Sequence, residues 1–500
     1  MHVLTSLRTC VKSQSKVDTF FLTFYLGGKS MLEMLGAIIA PVNSLLYYPI
    51  LIILLLGVGI YFTIRSGFLQ VRLLGEAFRV TIEKPMKEGD VSSFQTLMVT
   101  TASRVGTGNI VGVASAICLG GYGAVFWMWI VAIIGGSSAF IESTLAQIYK
   151  RRDENGGCYG GPAYYIETAL KSRVLGIIFA ISLILTYAIG FNMLAAFNLQ
   201  TSFTVYSFYD PKVTPWIIGA VLAVMTGYCL LGGGKRILKV TSILVPIMGA
   251  IYVAVSLVMV VMHISAMPAI FSRIFSDAFN FKAIFGGVAG SCMMYGIKRG
   301  LYSNEAGIGS APNAAATALV SHPVKQGLVQ MLSVFLDTLI ICSATAFMCF
   351  SAGIEPTESL SGAPFVQAAL SSLMGNFGNH FITFSLILFA FTTLLGNLYY
   401  VDDNLAYIYG KVPSKTFMLV YRIFASLVVL FGAAHKQALA WDIGDLLMGI
   451  MALINLPAIF LLGKTAMKAL KDYEKQRKEG KDPVFHAADI GMQEKLDFWN

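Results

Sequence analysis

Thr100-Thr101-Ala102-Ser103-Arg104-Val105-Gly106-Thr107-Gly108-Asn109 interrupts a run of residues otherwise apolar enough to cross a membrane. Irregular backbone at membrane depth is tolerated only where it is buried in protein or lines a cavity. Two glycines permit unwinding there, and the Ser, Thr and Asn side chains can cap the broken ends. A second such stretch is Tyr302-Ser303-Asn304-Glu305-Ala306-Gly307-Ile308-Gly309-Ser310-Ala311-Pro312-Asn313. Packing glycines with hydrogen-bonding serines are the plain alternative. That alternative does not account for the two clusters falling five helices apart, each with a charge beside it.

The rest of the chain sets these segments in lipid. Of 500 residues, 56% are hydrophobic and 13% charged, about half the charged fraction of a soluble domain, and the mean hydropathy is +0.70. At about 20 apolar residues per crossing, some eleven spans are expected, near 39–63, 96–118, 122–148, 173–197, 214–232, 240–263, 283–304, 326–351, 378–401, 416–434 and 440–463. With the first span set aside, the two irregular stretches are helices one and six of the remaining ten. Broken helices in corresponding positions of two five-helix halves are the mark of an inverted-repeat transporter. Half-helix N-termini suit a carboxylate, and freed carbonyls suit a sodium ion.

Charge placement gives the orientation. The net charge of +9 collects in short loops and in a basic C-terminal tail, a cytoplasmic bias rather than a nucleic-acid surface. With that tail inside, the loops Arg65 to Lys87, Lys150 to Arg173, Lys235 to Lys239, Lys325, and Lys411 to Lys415 also fall inside. The other loops carry few bases. This reading gives a transmembrane domain over 31–465, a cytoplasmic tail over 466–500 and an N-terminal tail over 1–30 on the outer side. Two readings stay open for 1–30: a start at Met31 or Met34 that leaves it untranslated, or an ordinary tail. Phe68 to Arg79 reads as an amphipathic interfacial helix. No signal peptide is evident, and a bacterial inner membrane is the expected location.

No enzyme, metal centre or cofactor is indicated. The seven cysteines form no C-x-x-C pair and read as buried thiols. The six histidines lack metal-ligand spacing, and no nucleophile–base pair is evident. Gly232-Gly233-Gly234 follows no strand and marks a tight turn rather than a phosphate loop. Three charged residues at membrane depth point to function. Asp337 either binds an ion or proton, or pairs with a base such as Lys298 or Arg299. Arg104 either attracts a substrate carboxylate or pairs with Glu305 as a gate or strut. Glu142 is expected to pair locally.

At these motifs the chain resembles the alanine or glycine:cation symporter family, also called sodium:alanine symporters, over about residues 31 to 465. The resemblance rests on Gly120-Gly121-Tyr122-Gly123-Ala124-Val125-Phe126-Trp127-Met128-Trp129-Ile130-Val131-Ala132-Ile133-Ile134-Gly135, on Arg104 to Ile110, on Gly160-Gly161-Pro162-Ala163-Tyr164-Tyr165-Ile166, and on Lys298 to Gly307. It implies an all-α polytopic protein of about eleven helices. One N-terminal helix would precede a leucine-transporter-like 5+5 repeat with core helices one and six broken. It further implies sodium-coupled import of a small neutral amino acid, alanine or glycine, with proton coupling or another amino acid as the alternative and an ion channel as a more distant one. By position, substrate would meet Thr107, Gly108 and Asn109, and on the other side Tyr295, Gly296 and Gly300. Sodium would lie between Gly106 and the hydroxyls of Thr392 and Thr393. Two departures from the family pattern, at Ala196-Phe197-Asn198 and at Gly396-Asn397 to Asp403, bear on which amino acid is carried.

Overall fold

The computed structural model describes residues 31–87, 89–153, 157–280, 292–434, 437–494 and 496–499. The tail expected over 1–30 lies outside them, as does the first half of the span expected at 283–304. The described residues are mostly helical, with one short antiparallel pair of strands, Arg151–Arg152 and Cys158–Tyr159. Among the described residues, nine helices are long and apolar enough to cross a membrane, and a bent pair makes a tenth.

In chain order, α1 is Gly36–Arg65 and α2 is Leu74–Thr81, preceded by a single helical turn at Leu69–Arg72, so the stretch expected as one helix over Phe68 to Arg79 is split at Leu73. The bent pair is α3, Ser93–Arg104, and α4, Gly108–Gly120. Then come α5, Gly123–Ile148, the short α6, Pro162–Ala169, α7, Arg173–Thr201, α8, Thr214–Leu231, and α9, Gly233–Met262. The short α10, Met267–Ala278, precedes α11, Cys292–Asn304, and α12, Ala311–Thr317. The bundle ends with α13, Pro323–Ser351, α14, Ala363–Met374, α15, Asn376–Tyr409, α16, Lys415–Ala434, and α17, Gln437–Lys478.

Local chemistry sets several of these ends. Ser92 and Gln95 form a reciprocal capping box that starts α3, satisfying two backbone donors that would otherwise be orphaned. Gly410, at φ 71°, closes α15 in the left-handed conformation that favours glycine.

Helix α5 is the hub, packing on α1, α11 and α13. Lipid offers no hydrophobic drive to bring helices together, so small residues that permit close van der Waals approach do so instead. A Cβ on Gly327 of α13 would lie 2.2 Å from Thr144 Oγ1 of α5. All six cysteines among the described residues are buried and free.

Helix α17 runs through residue 465 to Lys478, so the boundary drawn there from the sequence is not a helix end. Its last turns clamp α2. Tyr473 donates to Glu76 of α2, and Arg72, just before α2, pairs with Glu474 at 2.7 Å. Burial works against the Glu76 carboxylate, but hydrogen bonds from Arg79 and Tyr473 outweigh it and hold its pKa below the ordinary range.

The tail then folds back on the bundle end that carries the basic loops. Phe485 N–H donates to Ser321 O at 3.0 Å, and Trp499 Nε1 donates to Gln147 O at 2.8 Å. Lys325 pairs with both Glu83 (2.9 Å) and Asp482 (3.1 Å). Trp499 is buried, so truncating it removes an aromatic anchor that is typically worth about 3 kcal/mol or more. Trp499→Ala is expected to speed tryptic cleavage around Lys478 and Lys481 about tenfold or more, read by mass spectrometry of the folded protein. An unchanged rate would mean that the tail is held by other contacts.

Candidate functional site

Helix α3 stops because Val105 leaves the helical region, at φ −77° and ψ 79°. Asn109 Oδ1 takes the Gly106 N–H at 2.8 Å; this side-chain acceptor stands in for a lost helical carbonyl. The chain resumes with a π-wound turn over Gly108–Gly112, a form that recurs at functional sites. The two axes meet at 49°.

Helix α15 crosses this break. A Cβ on Gly106 would lie 2.0 Å from Thr393 Oγ1, so only glycine fits. That Thr393 hydroxyl is buried without a hydrogen-bond partner. Buried polar groups are seldom left so, and this one is free to take a ligand. Thr392 is oriented differently. Its hydroxyl bonds to Leu388 O at 3.0 Å and Phe389 O at 3.2 Å, and touches Met248 Sδ of α9 at 3.5 Å. Of the three residues expected around sodium, the fold brings Gly106 and Thr393 together and turns Thr392 away.

Asp337 lies on a second π-wound segment, Leu336–Cys342 of α13, and is wholly buried. Its Oδ1 accepts from Asn109 Nδ2 at 2.6 Å. Its Oδ2 accepts from Ser303 Oγ and Thr338 Oγ1, both at 2.8 Å. One carboxylate therefore ties α4 to α11 and α13. The pairing with Lys298 or Arg299 weighed from the sequence does not form. Those two bases meet Asp445 of α17, at 2.6 and 3.1 Å.

Beside the first break stands an aromatic wall. A Cβ on Gly108 would come within 2.6 Å of the Tyr302 ring. Tyr302 packs edge-on to Phe191 (4.8 Å between centroids) and against Trp441 (5.0 Å). Asn198 Nδ2 donates to Thr107 Oγ1 at 3.1 Å. Tyr295, Gly296 and Gly300 are placed elsewhere. A Cβ on Gly296 would lie 2.3 Å from Ala124 O, and one on Gly300 3.3 Å from Met128 Cα. Both glycines face α5, and Tyr295 packs by its Cβ against Gly120. On the α11 side it is Tyr302 and Ser303 that reach the Thr107–Asn109 turn or its immediate partners.

The second break follows α11. Glu305, Gly307 and Gly309 have φ of 54°, 85° and 88°, the left-handed region in which glycine is at ease. Glu305 accepts from Ser103 Oγ at 2.9 Å and from Ser310 Oγ at 2.7 Å, joining the two breaks directly. Arg104 reaches Gln330 instead, donating to its O at 3.3 Å and its Oε1 at 3.4 Å. Glu142 does not pair locally. It accepts from Gly307 N at 3.3 Å and from Asn455 Nδ2 at 2.8 Å, and Asn455 in turn accepts from Tyr165. A buried polar network of this kind is stable only when its members are satisfied.

Sequence reasoning missed Tyr302 as a wall, and Phe191 and Trp441 altogether. Tyr302 sat inside the quoted segment, whereas the other two are aromatics in apolar runs and gave no signal. Asp445 did give one, as a carboxylate within an apolar helix.

Among the described residues, up to ten apolar spans, a kinked helix among them, and buried hydroxyls, amides and carboxylates gathered around the kink define a multi-pass membrane transporter. The chain belongs to the sodium:alanine symporter family, whose model matches residues 32–487; this is a family of symporters, not enzymes. It is 44% identical over 471 residues to a probable sodium/glutamine symporter, GlnT, of Bacillus subtilis, covering 94% of this chain and 97% of that protein. It is also 44% identical over 463 residues to the amino-acid carrier protein AlsT of the same organism, covering 91% and 97%. Identity to the sodium/alanine symporter AgcS of Methanococcus maripaludis is 40% over 453 residues, covering 88% and 98%.

Proposed function

We propose that the chain imports a small neutral amino acid, alanine or glycine, together with sodium, by alternating access within a leucine-transporter-like 5+5 arrangement. Its place is a bacterial inner membrane, with the basic loops and the C-terminus in the cytoplasm and the N-terminus outside. The observation that carries the reading is the buried, unpartnered Thr393 hydroxyl set against the unwound turn at Gly106. Sodium is a hard cation that takes oxygen ligands, and a hydroxyl beside freed carbonyls supplies them. The substrate amino acid lies along Thr107–Asn109, where the N–H groups of the restarting helix meet its carboxylate. Tyr302, close against Gly108, narrows the space beside the turn, which favours alanine or glycine over the glutamine carried in the name of one relative.

The test is labelled alanine uptake into proteoliposomes under sodium, potassium or proton gradients, with unlabelled competitors. Removing one oxygen ligand from a cation costs about 1.5–3 kcal/mol, so Thr393→Val should raise the sodium concentration for half-maximal uptake about 10- to 100-fold. Thr392→Val should change it less than about threefold, because that hydroxyl bonds within its own helix. Equal sodium responses in the two variants would remove Thr393 from the ion site. Uptake driven by protons alone would overturn sodium coupling.

A further inference from the structure

On the lipid-facing side of the bundle, helices α8 and α16 touch along a seam of small residues and then part. A Cβ on Gly219 would lie 2.7 Å from Leu430 O, and one on Gly227 3.0 Å from Ser426 Oγ. Small residues spaced four apart commonly join two chains, but here Gly219 and Gly227 face a helix of the same chain. Outside the seam, Val224, Tyr228 and Leu231 form one wall and Leu419, Ile423 and Leu427 the other, around a groove of about 590 Å³. The walls are open to the bilayer: Val224 is 72% and Tyr228 67% exposed.

One end of this groove is strongly basic. Arg422 lines it, with its Nε unpartnered and its Nη2 paired to Asp402 only loosely, at 3.7 Å. The same Nη2 lies 3.8 Å from where a Cβ of Gly233 would stand. Arg236 comes to the same corner, donating to Tyr228 O at 2.7 Å with its guanidinium 4.8 Å from the Tyr228 ring centroid. Lys235 and Lys239, both exposed, follow within two turns. Among the described residues, no carboxylate lies within ion-pair range of Lys235, Arg236 or Lys239. The glycine run at 232–234 is the turn that lets α9 start here, bringing these bases over the groove mouth.

An apolar slot open sideways to lipid, with a net positive charge at one end, selects a molecule that is apolar along its length and anionic at its tip. We propose that this groove is a binding site for an anionic phospholipid. An acyl chain lies between α8 and α16, and the phosphate is held by Arg236 and Arg422, with Lys235 and Lys239 adding attraction. Basic pockets between helices at the leaflet interface act in this way, and the charged heads reach the interface while their stems cover apolar surface. A zwitterionic lipid offers the same chains without the net charge, so the site discriminates by headgroup.

The test uses the purified full-length protein in native mass spectrometry, titrated with phosphatidylglycerol and phosphatidylcholine of matched chains. Retention of one phosphatidylglycerol well above phosphatidylcholine is expected. Each neutralised base should cost about fivefold in phosphatidylglycerol affinity, so the pair Arg236→Gln and Arg422→Gln should erase most of the preference. Lys235→Gln with Lys239→Gln, at exposed positions where folding is not at issue, should lower it in the same direction. Equal retention of the two lipids by the wild type, or a preference unmoved by either pair, would overturn the proposal. So would efficient disulfide cross-linking of two Val224→Cys copies in bilayers, which would show that a second copy covers the groove.

Discussion

Gly106→Ala is expected to abolish sodium-driven uptake while leaving the protein folded. The new methyl carbon would stand 2.0 Å from Thr393 Oγ1 and 3.1 Å from Thr393 Cβ. Turning the hydroxyl aside would bring no relief, because Thr393 Cγ2 already stands 3.3 Å from the same point and β-branched side chains have few rotamers. Either α15 backs away from the break or Thr393 loses its orientation. Overpacking alone costs about 1–3 kcal/mol, and displacing an ion ligand adds a comparable amount. Together they correspond to a loss of about 100-fold or more in transport at limiting sodium. Gly106 is not at a positive φ, so alanine is not barred by the backbone. A melting temperature lowered by a few degrees in a protein that still folds, with the sodium response lost, is the expected pattern; wild-type sodium response would show that the Gly106–Thr393 contact is incidental.

Asp337→Ala should be nearly as damaging, for a different reason. It strips the acceptor from Asn109 Nδ2, Ser303 Oγ and Thr338 Oγ1 at once. Each buried donor left unsatisfied costs about 1–3 kcal/mol, and Asn109 loses the contact that orients it beneath the break. A loss of about 100-fold or more in alanine uptake is expected. Asp337→Asn keeps one carbonyl oxygen for Asn109 while the hydroxyls of Ser303 and Thr338 can rotate, so about tenfold is expected. Measured side by side, this order assigns Asp337 a positioning role. An Asn variant as inactive as the Ala variant would assign the role to its charge.

The break itself was legible because a Gly-rich polar stretch inside an apolar helix survives in a membrane only when buried in protein or lining a cavity. Its partner was half legible. The resemblance named Thr392 and Thr393, and residues adjacent on a helix point about 100° apart; here Thr393 lies against Gly106 and the Thr392 hydroxyl bonds within its own helix. Which of the two faces the break depends on the rotational phase of α15, fixed by packing over the whole helix. Gly296 and Gly300 show the limit from the other side. A glycine approached closely by a neighbour reads the same in sequence whether that neighbour is substrate or, as found here, the Ala124 carbonyl. Glu142 and Asn455 meet across 313 residues, and no local pattern announces such a pair. The same holds for Asp445, which takes the two bases weighed for Asp337.

The packing of the tail is a plainer case. Its basic residues give only a side of the membrane to expect, whereas Phe485, Ile490, Leu496 and Trp499 within it are buried. Four apolar residues spread over 485–499 were the available sign that it packs.

Coupling requires that sodium and the amino acid stabilise each other's binding, by the same factor in each direction. The decisive measurement is therefore equilibrium binding of labelled alanine to the purified protein, across a series of sodium concentrations with potassium as replacement, in the wild type, Thr393→Val and Thr392→Val. The expected result is an alanine affinity that rises with sodium in the wild type and in Thr392→Val, and only weakly in Thr393→Val. Alanine binding that ignores sodium in the wild type, or that follows sodium equally in all three proteins, would contradict a sodium site built from Gly106 and Thr393.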